Sequence, residues 1–414
     1  ALSENGYEVG YTGKGWAPGI ALKSDGSPRD LLVNFFDKRK LDPLTSKMSR
    51  EDYAANFQDF LAQKPANKPF FFWYGGREPH RPYEYGSSIN KNHKKLSDMY
   101  DIYPLWPKND TVTTDLLDYA FEVEYFDAQL QKMIDILKQN GQLDNTIIIV
   151  TSDNGMPFPR IKGQEYELSN HLPLAIMWPK GIKYKGRKIK DYMSFVDLAP
   201  TLLECAGVNA KSSGMSAITG QSFAQLFESK SDQNILNKDY VLIGKERHDI
   251  GRPKNEGYPI RGIFKGDFLY LRNYKPDRWP AGNPETGYLN TDGGATKTVV
   301  LNTWHTSQNY FWQLNFGKRA NEELYDINKD PFCINNLASN PAFASIKSKM
   351  STQMTTELLK QGDLRMMGKG DVYESYSIYP LNHNNYYENY MSGKFKEPLS
   401  WVNPSDYRPE QSEK

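Results

Sequence analysis

The feature that most constrains the fold is an apolar run that ends in polar residues, TIIIVTSDNGMPFPRIKG at positions 146–163. Residues 147–150 are all β-branched, which is typical of a strand buried on both faces of a parallel sheet. The run follows positions 114–140, where apolar residues recur every three or four positions, as in an amphipathic helix ended by Gly141. A helix followed at once by a buried strand predicts an α/β fold.

Other segments extend this pattern along the chain. Residues 8–13, 69–75 and 172–179 predict further strands, and 197–207 predict a helix. Alternating strands and helices predict a mostly parallel sheet with helices on its faces. We expect a catalytic core over 1–235, an α+β subdomain with an antiparallel sheet and a helix at 342–360 over 236–370, and a wrapping tail over 371–414.

Composition excludes some functions. The net charge is only +1 and aromatic residues make up 13% of the 414 residues, so we expect no nucleic-acid partner, which would need a clustered basic face. Two distant cysteines cannot form a disulfide framework or a zinc site. No segment has the roughly 18 apolar residues of a membrane span. The chain begins at Ala1, in what resembles the last turn of a helix stopped by Gly6, so we expect a removed or missing segment upstream.

Polar residues follow three of the predicted strands, at the sheet edge where ligands gather in parallel sheets. They are Lys14, His80, Arg81, Asp153, Asn154, Arg160 and Lys162. Oxygen atoms of Asp153 and Asn154 suit a hard cation such as Ca²⁺, and the nearby cations and imidazole suit an anion. Gly155 would allow a tight turn. Each residue also has a simpler explanation, since DNG is a common turn, Lys14 could be a solvated loop residue and His80 could brace a loop.

Taken together, six segments resemble, in order, the sulfatase branch of the alkaline phosphatase superfamily, and within it sulfamidase (heparan N-sulfatase) and its bacterial relatives. The segments are GYEVGYTGKGWAPG, PFFFWYGGREPHRPYEYG, TSDNG, KGQEYELSNHLPLAIMWPKG, SFVDLAPTLLECAG and EELYDINKDPFCINNLA. The resemblance covers nearly the whole chain and implies an alkaline-phosphatase-like fold.

The resemblance also implies a formylglycine- and calcium-dependent hydrolysis of sulfate groups. It makes Asp153 and Asn154 calcium ligands, and Lys14 a contact of the sulfate or of the formylglycine. It makes His80 a hydrogen-bond partner of the sulfate that protonates the leaving group, and Lys162 the second cation on the sulfate. Charge stabilisation of this kind is expected where charge shifts during transfer.

Two departures from the family pattern stand out. Trp16 occupies a position where the family usually has a histidine, and neither Cys205 nor Cys333 lies in the C-x-P-S-R motif that yields formylglycine. We therefore expect the nucleophile and the remaining calcium ligands on a missing N-terminal segment, for which a separate fragment is one option.

Substrate recognition is expected in the loops and the second domain, where charged residues could instead be merely solvated or structural. The substrate-binding candidates are Arg81, His171, Glu246, Arg247, His248 and Arg261. The predicted function is removal of O- or N-linked sulfate from a sulfated oligo- or polysaccharide in the periplasm or outside the cell. The alternatives are a phosphodiester or phosphonate hydrolase of the same superfamily and a non-catalytic sulfatase-like binding protein.

Overall fold

The computed structural model describes residues 1–16, 19–23, 25–395 and 397–412. Within these residues the strands are β1 (Glu8–Gly13), β2 (Asn34–Phe35), β3 (Phe70–Gly75), β4 (Ile148–Thr151), β5 (Leu174–Met177), β6 (Tyr240–Lys245), β7 (Ile260–Lys265), β8 (Phe268–Asn273) and β9 (Glu322–Asp326). The α-helices are α1 (Tyr53–Gln63), α2 (Ser87–Asn90), α3 (Asp110–Gln139), α4 (Glu167–Asn170), α5 (Leu198–Cys205), α6 (Gln225–Glu228), α7 (Ala295–Leu301), α8 (Asn309–Phe316), α9 (Ala344–Lys360) and α10 (Tyr386–Met391).

The chain forms two compact units that interleave in sequence. The first unit comprises Ala1–Pro79, Ala120–Val150 and Ala175–Asp239, and the second comprises His80–Tyr119, Thr151–Leu174 and Tyr240–Lys414. The last segment of the second unit begins close to the boundary expected at 236. The boundaries at 235 and 370 stay predictions, because the compact units follow a different division of the chain.

The first unit contains a parallel sheet in the order β2-β1-β3, with Gly10 opposite Phe72 in the register of β1 and β3. Helix α1 begins at its N-cap Asp52, whose side chain accepts a 3.0 Å hydrogen bond from Ala55 N. A Cβ at Gly10 would lie 2.8 Å from the Phe60 ring. Glycine at this position therefore lets α1 pack directly onto β1.

The strand expected to be buried on both faces, at 147–150, is only partly buried. Strand β4 pairs with β5, and every residue of β4 is partly accessible. In β3, Trp73 is 48% exposed. Among the described strands, β3 and β4 each lie at the end of a sheet. The strands predicted at 69–75 and 147–150 are confirmed, but the predicted burial of the second on both faces is wrong, because every residue of β4 keeps part of its surface accessible.

The second unit contains the antiparallel sheet β6-β7-β8-β9, as predicted. Its inner face packs on α9, which confirms the helix expected at 342–360. Met350, Met354 and Leu358 recur at four-residue spacing and contact Ile263 and Tyr270 in one buried cluster. One apolar face of α9 therefore covers the inner face of the sheet.

The tail is tied into the second unit. Asp406 forms an ion pair of 3.1 Å with Lys297, and both side chains are fully buried. The Lys297 ammonium also donates to the carbonyls of Gly287 and Thr291. The residues after 371 thus do more than cover the surface, because one of them neutralises a buried charge.

Candidate functional site

The loop that follows β4 is held by donors to its carbonyl groups. Arg81 Nε donates to Pro157 O at 2.8 Å, and Trp106 Nε1 donates to Pro159 O at 3.2 Å. Phe158 between these prolines is completely buried in an aromatic and aliphatic cluster. Proline has no backbone N–H, so these residues fix the loop through carbonyls alone. These contacts hold the loop at Pro157 and Pro159, so the residues that follow start from a fixed position.

Arg160 anchors the same loop from inside. Its guanidinium donates to the carbonyls of Leu314 and Cys333 and stacks 3.9 Å from the centre of the Tyr166 ring. Arg160 is buried. The sequence analysis grouped Arg160 with the cations of the anion site. In the structure its guanidinium instead holds the loop through the carbonyls of Leu314 and Cys333.

Arg81 has a similar structural use. Its guanidinium forms two hydrogen bonds of 2.8 Å to Asp115 and lies over the rings of Tyr83 and Phe158. Burial works to lower the pKa of Arg81, but the Asp115 charge outweighs it and raises that pKa. Substrate binding by Arg81 stays a prediction, and the contacts assign it a loop-positioning task.

Lys162, at the end of the loop, lies between a carboxylate and an imidazole. Its Nζ is 2.6 Å from Asp292 Oδ2 and 3.3 Å from His80 Nε2. The side chains of Lys162 and Asp292 are 12% and 9% exposed, whereas His80 is exposed. The ammonium therefore has a buried side toward Asp292 and an accessible side toward His80.

The partners of His80 assign its tautomer. Nδ1 lies 2.6 Å from the carbonyl of Arg81 and Nε2 faces the Lys162 ammonium. A carbonyl only accepts and an ammonium only donates, so Nδ1 carries the proton and Nε2 is the acceptor. This is a neutral imidazole whose acceptor nitrogen points toward the cation.

Asp292 is placed by a turn that requires glycine twice. A Cβ at Gly293 would lie 2.7 Å from Asn403 N, and one at Gly294 would lie 2.3 Å from the Arg81 guanidinium. Burial works to raise the pKa of Asp292, but the charge and hydrogen bond of Lys162 outweigh it, so that pKa stays below its ordinary value. Asp292 is therefore an anion at neutral pH.

Three more titratable groups surround this pair. Burial raises the pKa of the Asp249 carboxyl to about 7, and Asp292 adds to this. The protein atoms packed around the His248 ring, together with Lys245 and Lys162, lower its pKa to about 4. Burial lowers the pKa of Lys245 to about 7, and its ammonium donates to the carbonyl of Gly163. At neutral pH His248 is thus a neutral ring beside charged neighbours.

The other predicted substrate residues have partners elsewhere in the second unit. Glu246 forms ion pairs with Arg261 and Arg365. The Arg247 guanidinium donates to the carbonyls of Asn255 and Tyr376. Of the four residues predicted from positions 246–261, His248 is the one whose pKa is lowered by the charge of Lys162. Substrate binding by the other three stays a prediction.

His171 lies on an exposed helix end. Its Nδ1 is 2.6 Å from Glu167 Oε1, and its side chain is 78% exposed. The hydrogen bond to Glu167 raises the pKa of His171. Contact of His171 with substrate stays a prediction.

Asp153 and Asn154 follow β4 directly. Asp153 is exposed, and Asn154 Nδ2 donates to Gly155 O at 2.8 Å, so Asn154 Oδ1 remains an acceptor. Within the described residues there is no group of three or more His, Cys, Asp or Glu side chains arranged around a metal. These two oxygen donors fit part of a site for Ca²⁺, which takes six to eight oxygens. Calcium binding is therefore a prediction.

Gly155 meets a different requirement from the predicted tight turn. A Cβ at this position would lie 2.2 Å from the carbonyl oxygen of Leu168. Its φ does not fall in the left-handed region. Glycine is needed here for close backbone packing.

Lys14 lies in the first unit, directly after β1. Its N donates to Gly75 O at 2.6 Å and its O accepts from Trp73 Nε1 at 3.0 Å. Lys14 and Trp16 line an open cleft of about 350 Å³ together with Arg29 and Asp30. The first unit thus presents an exposed lysine at the rim of a polar cleft.

Three residues of the second-unit site were not predicted. Asp292, Asp249 and Lys245 stand in segments whose sequence has no catalytic spacing. The only local sequence signal is for Asp292, because the DGG at 292–294 places a carboxylate before two glycines, which is typical of a tightly packed turn.

Comparison with known proteins identifies the family. The sulfatase family model matches residues 1–208, half of the 414 residues, and the chain therefore belongs to the sulfatase family. An ulvan-active sulfatase of Formosa agariphila is 27% identical over 79% of this chain and 59% of its own length. Human N-sulphoglucosamine sulphohydrolase is 25% identical over 70% of this chain and 61% of its own length.

A solved structure shares the fold. That structure shows a protein in complex with its substrate D-glucosamine-2-N,6-O-disulfate. The two chains are 17% identical, and the match covers 87% of the present chain and 81% of the solved one, with a TM-score of 0.56. This confirms the predicted fold class. The matched part spans 41–61% of the length of the first curated relatives. In the part of the chain that the structure describes, no helix is both long and apolar enough to cross a membrane.

Proposed function

We propose that this chain contributes to an enzyme that hydrolyses sulfate groups, as O-sulfate esters or N-sulfamates, on a sulfated carbohydrate. The observation that carries the proposal is the ammonium of Lys162, held 3.3 Å from His80 Nε2 on the accessible side of the loop after β4. An ammonium and an imidazole that is protonated at Nε2 can, at this spacing, both donate to the oxygens of one bound sulfate. Relatives named for ulvan and for N-sulphoglucosamine support a carbohydrate substrate.

In this proposal each residue of the second unit has one task. Lys162 binds the sulfate and balances its charge. His80 takes up a proton from solvent at its acceptor nitrogen Nε2 when the substrate binds, donates a hydrogen bond to the sulfate and then transfers that proton to the leaving group. Arg81 and Arg160 keep the loop in place through the carbonyls described above. Lys14 in the first unit is proposed as a further sulfate or nucleophile contact, on the family resemblance.

Two groups implied by the family complete the proposal. Asp153 and Asn154 would hold Ca²⁺, which would neutralise sulfate oxygens when bound. Formylglycine would supply the nucleophile. Because neither Cys205 nor Cys333 lies in a C-x-P-S-R motif, the proposal places the nucleophile outside these 414 residues.

The first test is the intact mass and N-terminal sequence of the protein isolated from its source, with peptide mapping of any co-purifying polypeptide. A C-x-P-S-R peptide with cysteine converted to formylglycine supports the proposal. Its replacement by another sequence would support a non-catalytic binding protein instead.

Activity is then measured on that material as sulfate released from D-glucosamine-2-N,6-O-disulfate and from sulfated polysaccharides. Lys162→Met should lower the rate by about 100-fold or more, as expected for a lost charge-stabilising donor. Lys108→Met is the matched control, because Lys108 is an exposed lysine paired with Asp101. Turnover of a phosphodiester without sulfate release would favour the superfamily alternative.

A further inference from the structure

We propose that Asp292 weakens the binding of free sulfate at Lys162 and so promotes release of the product; this inference rests on the proposed function. Asp292 Oδ2 lies 2.6 Å from the ammonium that is proposed to hold the sulfate. A carboxylate this close to an anion site opposes any anion that enters it.

The geometry gives the two partners of Lys162 different positions. The hydrogen bond from Lys162 to Asp292 is partly buried, and the contact with His80 is exposed. An anion therefore approaches Lys162 from the His80 side, with Asp292 behind the ammonium. Screening by solvent is weak on the buried side, so the Asp292 charge acts on the bound anion.

Asp292 is held in place by the fold, and its position does not depend on the lysine alone. Its turn is backed by the tail, since Gly293 N donates to Trp401 O at 2.7 Å. Behind the turn, Lys297 donates to the carbonyl of Thr291. The carboxylate consequently cannot move far when an anion reaches Lys162.

The charge of the ligand decides how strongly Asp292 acts. A sulfate monoester or an N-sulfamate carries one negative charge, whereas the inorganic sulfate released by hydrolysis carries two. Coulomb repulsion grows with the charge of the ligand. Asp292 therefore disfavours the product more than the substrate, which is the condition for a site that binds a sulfate group and then empties.

The test is an NMR titration of the protein at constant pH and ionic strength, with the imidazole signals of His80 as the local reporter. Sodium sulfate is the dianionic probe and sodium methyl sulfate the monoanionic probe. Asp292→Asn should tighten sulfate binding on the order of tenfold and methyl sulfate binding about threefold, because the energies scale with ligand charge. Asp135→Asn, which removes an exposed carboxylate on α3, should change neither affinity.

The outcomes separate the inference from the proposed function. Equal tightening of both anions, or no tightening, would overturn the role of Asp292 while leaving Lys162 as the sulfate contact. Wild-type affinity for both anions in Lys162→Met would overturn the sulfate site itself. Thermal unfolding checks that Asp292→Asn is folded, and Asp292→Ser repeats the test if it is not.

Discussion

Arg81 and Asp115 form a bidentate ion pair inside the second unit, with both nitrogen–oxygen distances at 2.8 Å and side-chain exposures of 6% and 3%. Asp115 Oδ2 also accepts a hydrogen bond from Thr296 N. The pair thus links the start of α3 to the loop before α7, next to Asp292. A residue that the sequence suggested for substrate binding is therefore a centre of local structure.

Arg81→Gln should destabilise the protein by about 3–5 kcal/mol, because it leaves the Asp115 carboxylate buried without its partner. Arg39→Gln is the matched control, since Arg39 forms a bidentate pair with Asp59 at the surface. Urea denaturation compares the two variants, and the control should stay close to wild type. Similar losses of stability in both variants would show that the buried Arg81–Asp115 pair stabilises the protein no more than the surface pair does.

Asp406→Asn should destabilise the second unit strongly, because it leaves Lys297 as an uncompensated buried charge. Removing one partner of a buried pair costs about 3–5 kcal/mol. The exposed pair of Lys108 and Asp101 provides the comparison, and Asp101→Asn should leave the urea midpoint unchanged. A tail that is only loosely attached would instead tolerate Asp406→Asn as well as this control.

The stability of the protein should depend on pH through Asp249. Its folded pKa is about 7, above the ordinary value of 3.8, so between these values the folded state binds more protons than the unfolded state. The free energy of unfolding therefore falls as pH rises through this window, on the order of a few kcal/mol. Asp292, Lys162 and Arg252 are the charged groups that act on Asp249.

Chemical denaturation of wild type and Asp249→Asn at a series of pH values measures this contribution, since all other groups are common to both. Wild type should lose stability relative to Asp249→Asn as pH rises from about 4 to about 7. Asp135→Asn should show no such difference. A constant difference between wild type and Asp249→Asn would contradict the raised pKa.

The pKa values of His171 and His248 should lie on opposite sides of 6.5, the ordinary value for histidine. The His171 midpoint should lie above it because of Glu167, and His248, with a pKa of about 4, should remain neutral near pH 7. NMR of the ring nitrogens measures both, and Glu167→Gln should lower the His171 midpoint only. Protonation of His248 near pH 6 would contradict the described surroundings of its ring.

Much of the fold could be predicted because its signals are local. The helical periodicity before Gly141 became α3, and the segments after 236 became the antiparallel sheet with α9 on its face. Burial could not be predicted in the same way. The β-branched run at 147–150 indicated a strand, but its exposure depends on which distant segments pack against the faces of the sheet.

In the candidate site, too, some residues could be selected from the sequence, but the contacts between distant residues could not. The resemblance selected Lys162 and His80, and the geometry brings them 3.3 Å apart. Arg81 and Arg160 were grouped with them because the sequence shows a charge but not its direction. The carboxylate that pairs with Lys162 lies 130 residues further along the chain, where no spacing connects the two.

The sequence by itself determined the type and order of the elements with strong local patterns, the family and the residue types at the strand ends, because propensity, periodicity and motifs act over short distances. Helices α1, α7 and α8 were not predicted. Only the tertiary structure decided which cations serve the loop and which face the solvent, and that Asp292 stands behind Lys162. Those outcomes depend on contacts between distant segments, where burial and charge pairing set the position and protonation of each group.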